Sequence, residues 1–148
     1  MRLTRQVVPL LCTWAIYLLA WAVPVVKDGV ALPDGLPGLQ ALAFAMQPYG
    51  TNATDTWWST ALSMSTGLTN LVMVSSVVIL WPPFRKWANA LAGAGLASFL
   101  LNSSWYLNWG DDRGDLRAGY FLWWVSFLLM SLAAFRLGRP FGANSHAA

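Results

Sequence analysis

The sequence predicts an all-α membrane protein: a bundle of four transmembrane helices with a short interfacial helix in its first outer loop. The chain has 148 residues, of which 57% are hydrophobic and only 10% are charged, whereas a soluble domain carries about 25% charged residues. Four long apolar runs contain no charged residue, and each is close to the roughly 20 residues that a helix needs to cross a bilayer. All acidic residues are Asp, and they fall in only two of the connecting segments.

The predicted spans form a single integral membrane domain and cover residues 7–26, 58–80, 87–109 and 119–135. The first span needs a test against a signal peptide, because it follows a basic start and contains small residues at Ala20 and Ala22, as a cleavage site does. The apolar run continues to Val26, which is long enough to span. We therefore expect a retained helix, with cleavage as the alternative.

Two turns connect the last three spans. Pro82 and Pro83 end the second span, since proline cannot continue a helix, and a tight turn then joins it to the third span as an antiparallel hairpin. The turn before the fourth span is rich in Asp and contains Arg113 and Arg117. A calcium loop would end in a bidentate acid, and none follows Arg117. We expect a solvated turn with local ion pairs.

The basic residues predict an orientation with both termini in the cytoplasm. Lys and Arg are enriched in cytoplasmic loops, and one side of the predicted bundle holds six of the nine basic residues: Arg2, Arg5, Arg85, Lys86, Arg136 and Arg139. The other side holds three basic residues and every Asp. This pattern favours the inner membrane of a bacterium, and it accounts for the net charge of +3 without nucleic acid, for which the basic residues form no stripe.

The outer loop 27–57 contains a short apolar segment. Leu39, Leu42 and Met46 follow the spacing of one helical face, and Pro48 ends the pattern. The segment is too short to span, so we expect a helix that lies at the interface or caps the bundle, and we treat these three residues as a candidate docking face. A re-entrant segment is the alternative, and it would need protein around its broken backbone.

Polar residues form a stripe on the second and third spans. Thr66 and Asn70 lie at about the depth of Ser98, and Asn102 lies one turn further along the third span. Because an unpaired Asn in lipid is costly, we expect these side chains to face inward and bond across the hairpin. The alternative is a small polar cavity open to the outside.

Small residues are concentrated on the third span. Gly93 and Ala97, four residues apart, would let two helix backbones approach closely. We expect a helix–helix contact there, with a helix of this chain or of a partner. The oligomeric state stays open.

The ten Trp residues mark the predicted boundaries of the bilayer. Trp81 and Trp87 lie at the inner boundary, and most of the others lie at the outer one, where indoles favour the headgroup level. The hypothesis favoured by this placement is an aromatic belt. An aromatic-walled pocket for a lipid, quinone or small apolar ligand is the alternative.

The spans hold no ionisable side chain that would mark a proton or ion path. They also lack the His pairs, Cys pairs or Ser–His pairs that haem, disulfide or protease chemistry would use. We therefore expect no catalytic residue, metal or cofactor, and a non-enzymatic protein.

The start of the last span, Gly119-Tyr120-Phe121-Leu122-Trp123-Trp124 followed by Ser126-Phe127, resembles small four-span inner-membrane proteins of bacteria that have no assigned activity. The resemblance implies the fold and the membrane, but no site residue. The function expected first is an interaction or accessory role, as a complex subunit or an immunity-type protein, with the bilayer and another membrane or periplasmic protein as partners. The alternative is a binder or facilitator of a small, largely uncharged ligand through an outward-facing cavity.

Overall fold

The computed structural model describes residues 2–27, 36–46, 56–108 and 114–138. In these ranges the chain is almost entirely helical, which confirms the predicted all-α class. The elements are α1 (Arg2–Ala22), β1 (Pro24–Val26), β2 (Leu36–Pro37), α2 (Gly38–Ala45), α3 (Trp57–Ser75), two 3-10 segments (Ser76–Leu80 and Pro82–Trp87), α4 (Ala88–Asn108) and α5 (Ala118–Gly138).

Each long apolar run forms a helix, but the first helix ends earlier than predicted. The prediction continued it to Val26, whereas α1 ends at Ala22 and Pro24–Val26 is a strand. Proline lacks the N–H that a helix interior needs, and it forces the residue before it out of the helical region. Pro24 therefore ends α1, while Pro9 lies inside the helix.

Among the described residues, two helical segments are long and apolar enough to cross a membrane, Trp57–Leu80 and Ala118–Gly138. The first comprises α3 and the 3-10 segment that continues it. The apolar part of α1, Val7–Ala22, is shorter. α4 has 21 residues and no charge, but its Asn, Ser and Gly residues make it less apolar than α5.

Local side-chain chemistry sets the start of α3. The Thr56 hydroxyl accepts a hydrogen bond from the backbone N–H of Ser59 (3.1 Å), and the Thr56 N–H donates to the Ser59 hydroxyl (3.0 Å). This reciprocal arrangement is a capping box, which satisfies amide groups that have no partner within the helix. α3 therefore begins at Trp57, within one residue of the predicted boundary.

The central helix of the fold is α5, which makes its most extensive contacts with α1 and α4. Phe127 and Met130 of α5 are fully buried, together with Leu10 of α1 and Met73 of α3. The Ser131 hydroxyl donates to the backbone carbonyl of Ala92 (2.6 Å) and so ties α5 to α4. The core is thus a helix–helix interface built around one face of α5.

A small β-structure closes one end of the bundle. β1 pairs with β2 in antiparallel fashion, and Val26 forms a bridge with Leu116. The backbone N–H of Lys27 donates to the carbonyl of Asp115 (2.7 Å), and the N–H of Arg117 donates to that of Val25 (2.8 Å). These bonds hold the C-terminal end of α1 and the N-terminal end of α2 close to the start of α5.

The short helix expected in the first outer loop is α2, which lies against α1 and α3. A Cβ added at Gly38 would lie 2.9 Å from the Cα of Trp21 on α1. A Cβ added at Gly67 of α3 would lie 2.7 Å from the sulfur of Met46, which directly follows α2. Both distances are shorter than real side chains tolerate, so the two glycines allow α2 to rest directly on the bundle.

Candidate ligand-binding cavity

A cavity of about 320 Å³ lies under α2 at this end of the bundle. All five helices and the β-structure contribute to its walls, and most of its lining is apolar. Ala20 and Trp21 come from α1, while Val25, Val26 and Leu116 come from the β-structure. The elements that the sequence predicted as an outer loop and an outer turn therefore meet around one partly open cavity.

The roof of the cavity is α2. Ala41, Leu42 and Ala45 line the space, and Leu42 also packs against Gly67. Of the three residues predicted as a docking face, Leu42 and Met46 contact α3, while Leu39 is 69% exposed. The predicted face is therefore divided between the cavity side and the outer surface.

Asn70 lies in the cavity wall and joins three helices. Its Oδ1 accepts hydrogen bonds from the Tyr17 hydroxyl on α1 (2.9 Å) and from the Trp123 indole N–H on α5 (2.8 Å). Its Nδ2 donates to the backbone carbonyl of Gly67 (2.8 Å). The sequence singled out Asn70 but gave no signal for Tyr17, and it placed Trp123 among the interfacial aromatics.

Thr66 forms a second polar pair in the wall. Its hydroxyl donates to the carbonyl of Ser63 (2.7 Å) and accepts the indole N–H of Trp105 on α4 (2.8 Å). The bond from Trp105 crosses the hairpin of α3 and α4. Polar groups in this wall are thus largely bonded to one another, which leaves an apolar surface toward the cavity.

Asn102 and Ser98, the other two residues of the predicted stripe, lie outside the cavity lining. Asn102 is fully buried, and its Nδ2 donates to the Thr69 hydroxyl across the hairpin (3.2 Å). The Tyr120 hydroxyl donates to the backbone carbonyl of Asn102 (2.9 Å). Ser98 donates only to Ala94 of its own helix (2.8 Å). The stripe therefore divides between two residues in the cavity wall and two in α4 behind it.

Gly93 and Ala97, the predicted packing pair, lie on the exposed face of α4. A Cβ at Gly93 would meet no atom within 4 Å among the described residues, whereas one at Gly95 would lie 2.6 Å from the end of Met130. The close approach to α5 is therefore made through Gly95 and Ala92. Small residues are present on all sides of α4, so their spacing alone did not predict which of them face α5.

The Trp residues divide into two groups. Four that were predicted to mark the bilayer boundaries are more than half exposed: Trp57, Trp58, Trp81 and Trp87. Four others donate their indole N–H groups to acceptors inside the bundle: Trp14, Trp105, Trp123 and Trp124. Trp105 and Trp123 line the cavity. An interfacial belt thus describes only the exposed group.

The cavity's chemistry is that of a binding site with few polar contacts. Among its described lining residues, only Lys27 has a side chain that is charged at neutral pH, and it is exposed at the rim. In the described ranges, no three His, Cys, Asp or Glu side chains come together as metal ligands.

Comparison of the chain with protein-family models, with curated proteins and with solved structures found no match. The function must therefore be argued from the geometry of this cavity and from the surface around it.

Proposed function

We propose that this chain is a four-span protein of a bacterial inner membrane, with both termini in the cytoplasm, and that it binds a small, largely apolar and uncharged ligand. The observation that carries the proposal is the cavity of about 320 Å³ beneath α2. Apolar pockets with a few placed polar groups are the usual form of small-molecule sites, and they are often found between the helices of bundles.

The surface of the bundle supports a membrane environment. Leu18, Leu71 and Leu100, on three different helices, are each more than half exposed. Exposed large apolar side chains recur on all four long helices, and lipid tails accommodate such side chains better than water does. α4 has 21 residues without a charge, about 32 Å at 1.5 Å per residue, which is enough to cross the hydrocarbon core. The apolar part of α1, Val7–Ala22, covers about 24 Å, and the apolar strand Pro24–Val26 follows it. Four spans therefore follow if these two helices insert with the other two.

A cavity of this size between packed helices favours a ligand. Protein interiors are close-packed, and few spaces inside them exceed the size of a water molecule. α2 lies over this space and rests on α1 and α3 through close contacts at Gly38 and Gly67. A partly open, mostly apolar space of this kind is typical of small-molecule sites.

The polar groups of the wall favour an uncharged ligand. The bonds of Asn70 and Thr66 are made to other protein groups, so the wall offers little to offset the desolvation of an ion. Lys27 lies at the rim, where its ammonium group stays hydrated.

A matched pair of substitutions on α2 tests this function. Ala41 lines the cavity, whereas Ala43, two residues away, is exposed. Ala41→Phe places a ring in the cavity, so we expect loss of small molecules that co-purify with the protein in mild detergent. These are detected by mass spectrometry of solvent extracts. Ala43→Phe should retain them. Equal retention by both variants would exclude the cavity as the binding site.

A second function, an accessory role beside another membrane protein, is favoured by the outer face of α4. Gly93 has open space above it and Ala97 is exposed, so a helix of another protein could approach this face closely. Affinity purification in mild detergent would test it with Ala97→Leu, which should release a partner that the wild-type chain retains. Retention of that partner would remove this face from consideration.

A further inference from the structure

The two donors that Asn70 receives fix the orientation of its amide group. An indole N–H can only donate, so the atom that Trp123 contacts must be the amide oxygen. The Tyr17 hydroxyl donates to the same oxygen. Both lone pairs of Oδ1 are then occupied, and Nδ2 must lie on the other side of the amide.

The Nδ2 group carries two hydrogens, of which one is used. It donates to the Gly67 carbonyl on the preceding turn of α3, and no second acceptor for it is present in the described parts of the chain. Both Asn70 and Gly67 line the cavity. Asn70 is half-buried, so a ligand that displaces water from the cavity and supplies an acceptor would gain a hydrogen bond to this hydrogen.

Four other donors at or beside the cavity wall are already engaged, while the ammonium group of Lys27 at the rim is exposed to water. The Thr66 hydroxyl donates to the backbone carbonyl of Ser63, and the Tyr120 hydroxyl donates to the backbone carbonyl of Asn102. The Tyr17 and Trp123 hydrogens are both directed at Asn70. The second Nδ2 hydrogen of Asn70 is thus the one amide donor that the described wall leaves for a ligand.

On the basis of the proposed function, we propose that the ligand carries a carbonyl oxygen on an otherwise apolar body, and that Asn70 selects it by donating its second Nδ2 hydrogen. Aromatic ketones, quinones and apolar esters belong to this class. A hydroxyl ligand fits less well, because its hydrogen would have to share a carbonyl that already accepts a bond. An apolar cavity of about 150 Å³ holds benzene, so a space of about 320 Å³ is suited to a body of two rings.

The test uses three compounds on the purified full-length chain in detergent. Benzophenone serves as the photoreactive reporter, and the sites that it labels are mapped by mass spectrometry. Its labelling is displaced by 2-acetylnaphthalene or by 2-ethylnaphthalene, which share one shape and differ in the carbonyl oxygen. The ratio of their half-displacement concentrations is compared between wild type and variants, because partition into detergent then cancels.

We expect labelling of the peptides that line the cavity, and a preference for the ketone. One hydrogen bond corresponds to a preference of roughly twofold to tenfold. Asn70→Leu, which has no amide, should remove this preference. Asn70→Asp is the gentler variant, because a neutral carboxyl keeps the acceptor for Tyr17 and Trp123 and a donor for Gly67 but has no second hydrogen. It should lose the preference as well.

The outcomes separate the two proposals. If benzophenone does not label the cavity, or if neither naphthalene displaces it, the proposed function and this inference both fail. Displacement with the same ratio of half-displacement concentrations in the wild type and in both Asn70 variants leaves the binding function standing and overturns the role of Asn70. A preference that persists in both variants also overturns that role.

Discussion

Asn70 lies on α3 and accepts hydrogen bonds from Tyr17 of α1 and Trp123 of α5, so one side chain joins three helices. Its remaining bond is made to its own helix, at Gly67. In an apolar environment each of these donors would otherwise lack a partner, which is costly. The same residue therefore supports the packing of the bundle and supplies a polar group to the cavity.

Asn70→Leu should lower the free energy of unfolding by about 1–3 kcal/mol, because it leaves the Tyr17 hydroxyl and the Trp123 indole without acceptors. Ser98→Ala is the control, since Ser98 is buried but bonds only to Ala94 of its own helix. Both are measured by unfolding in mixed detergent micelles. Equal effects of the two changes would show that the bonds to Asn70 add nothing to the stability of the bundle.

Two glycines on α4 provide a second comparison. Gly95→Leu forces a side chain against Met130 and Phe127 of α5, and overpacking of this kind costs roughly 1–3 kcal/mol. Gly93→Leu points into open space and should leave the melting temperature of the isolated protein nearly unchanged. If Gly93→Leu is the more damaging variant in thermal unfolding, the rotation of α4 described above is wrong.

At the scale of elements, the sequence was sufficient to locate the helices but not to orient them. The long charge-free runs, Pro82-Pro83 and the periodicity around Leu42 predicted where helices form. The sequence pattern did not predict which residues of α4 contact α5, because small and apolar residues are present on all sides of α4. The inward bonds of Trp105 and Trp123 were not predicted either, since an indole suits both an interface and a buried acceptor.

The close packing of α2 against α3 depends on Gly67, which has no Cβ to hold the two helices apart. Gly67→Ala brings a methyl group to 2.7 Å from the Met46 sulfur and 3.3 Å from Leu42, so the Met46 side chain, or α2 with it, has to shift. We expect faster hydrogen exchange of the α2 amides and faster ligand release. Gly93→Ala, with no atom in reach, is the matched control. Unchanged exchange in α2 would mean that Met46 adapts and that the roof does not depend on this contact.

For the molecule as a whole, the cavity gathers segments that are distant along the chain. Trp21, Leu42, Asn70 and Leu116 come from four elements that only the folded bundle brings together. From the sequence, Thr66 and Asn70 were expected to bond across the hairpin, and a small polar cavity was the alternative. The shape of the cavity could not be predicted, because it depends on how closely α2 approaches Trp21 and Gly67.

The orientation in the membrane is a prediction of the whole charge pattern. Arg85 lies between α3 and α4, on the end opposite to the segment that carries Asp115 before α5. Since Lys and Arg favour the cytoplasmic side, reporter fusions after Arg85 and Arg139 should be active as cytoplasmic reporters, and fusions at Thr51 or Gly114 as periplasmic ones. In that orientation the cavity and α2 face the periplasm, so a ligand would enter from that side or from the outer leaflet. A C-terminal fusion that reports a periplasmic location would contradict four spans with a cytoplasmic N-terminus, because an even number of spans returns the chain to its starting side.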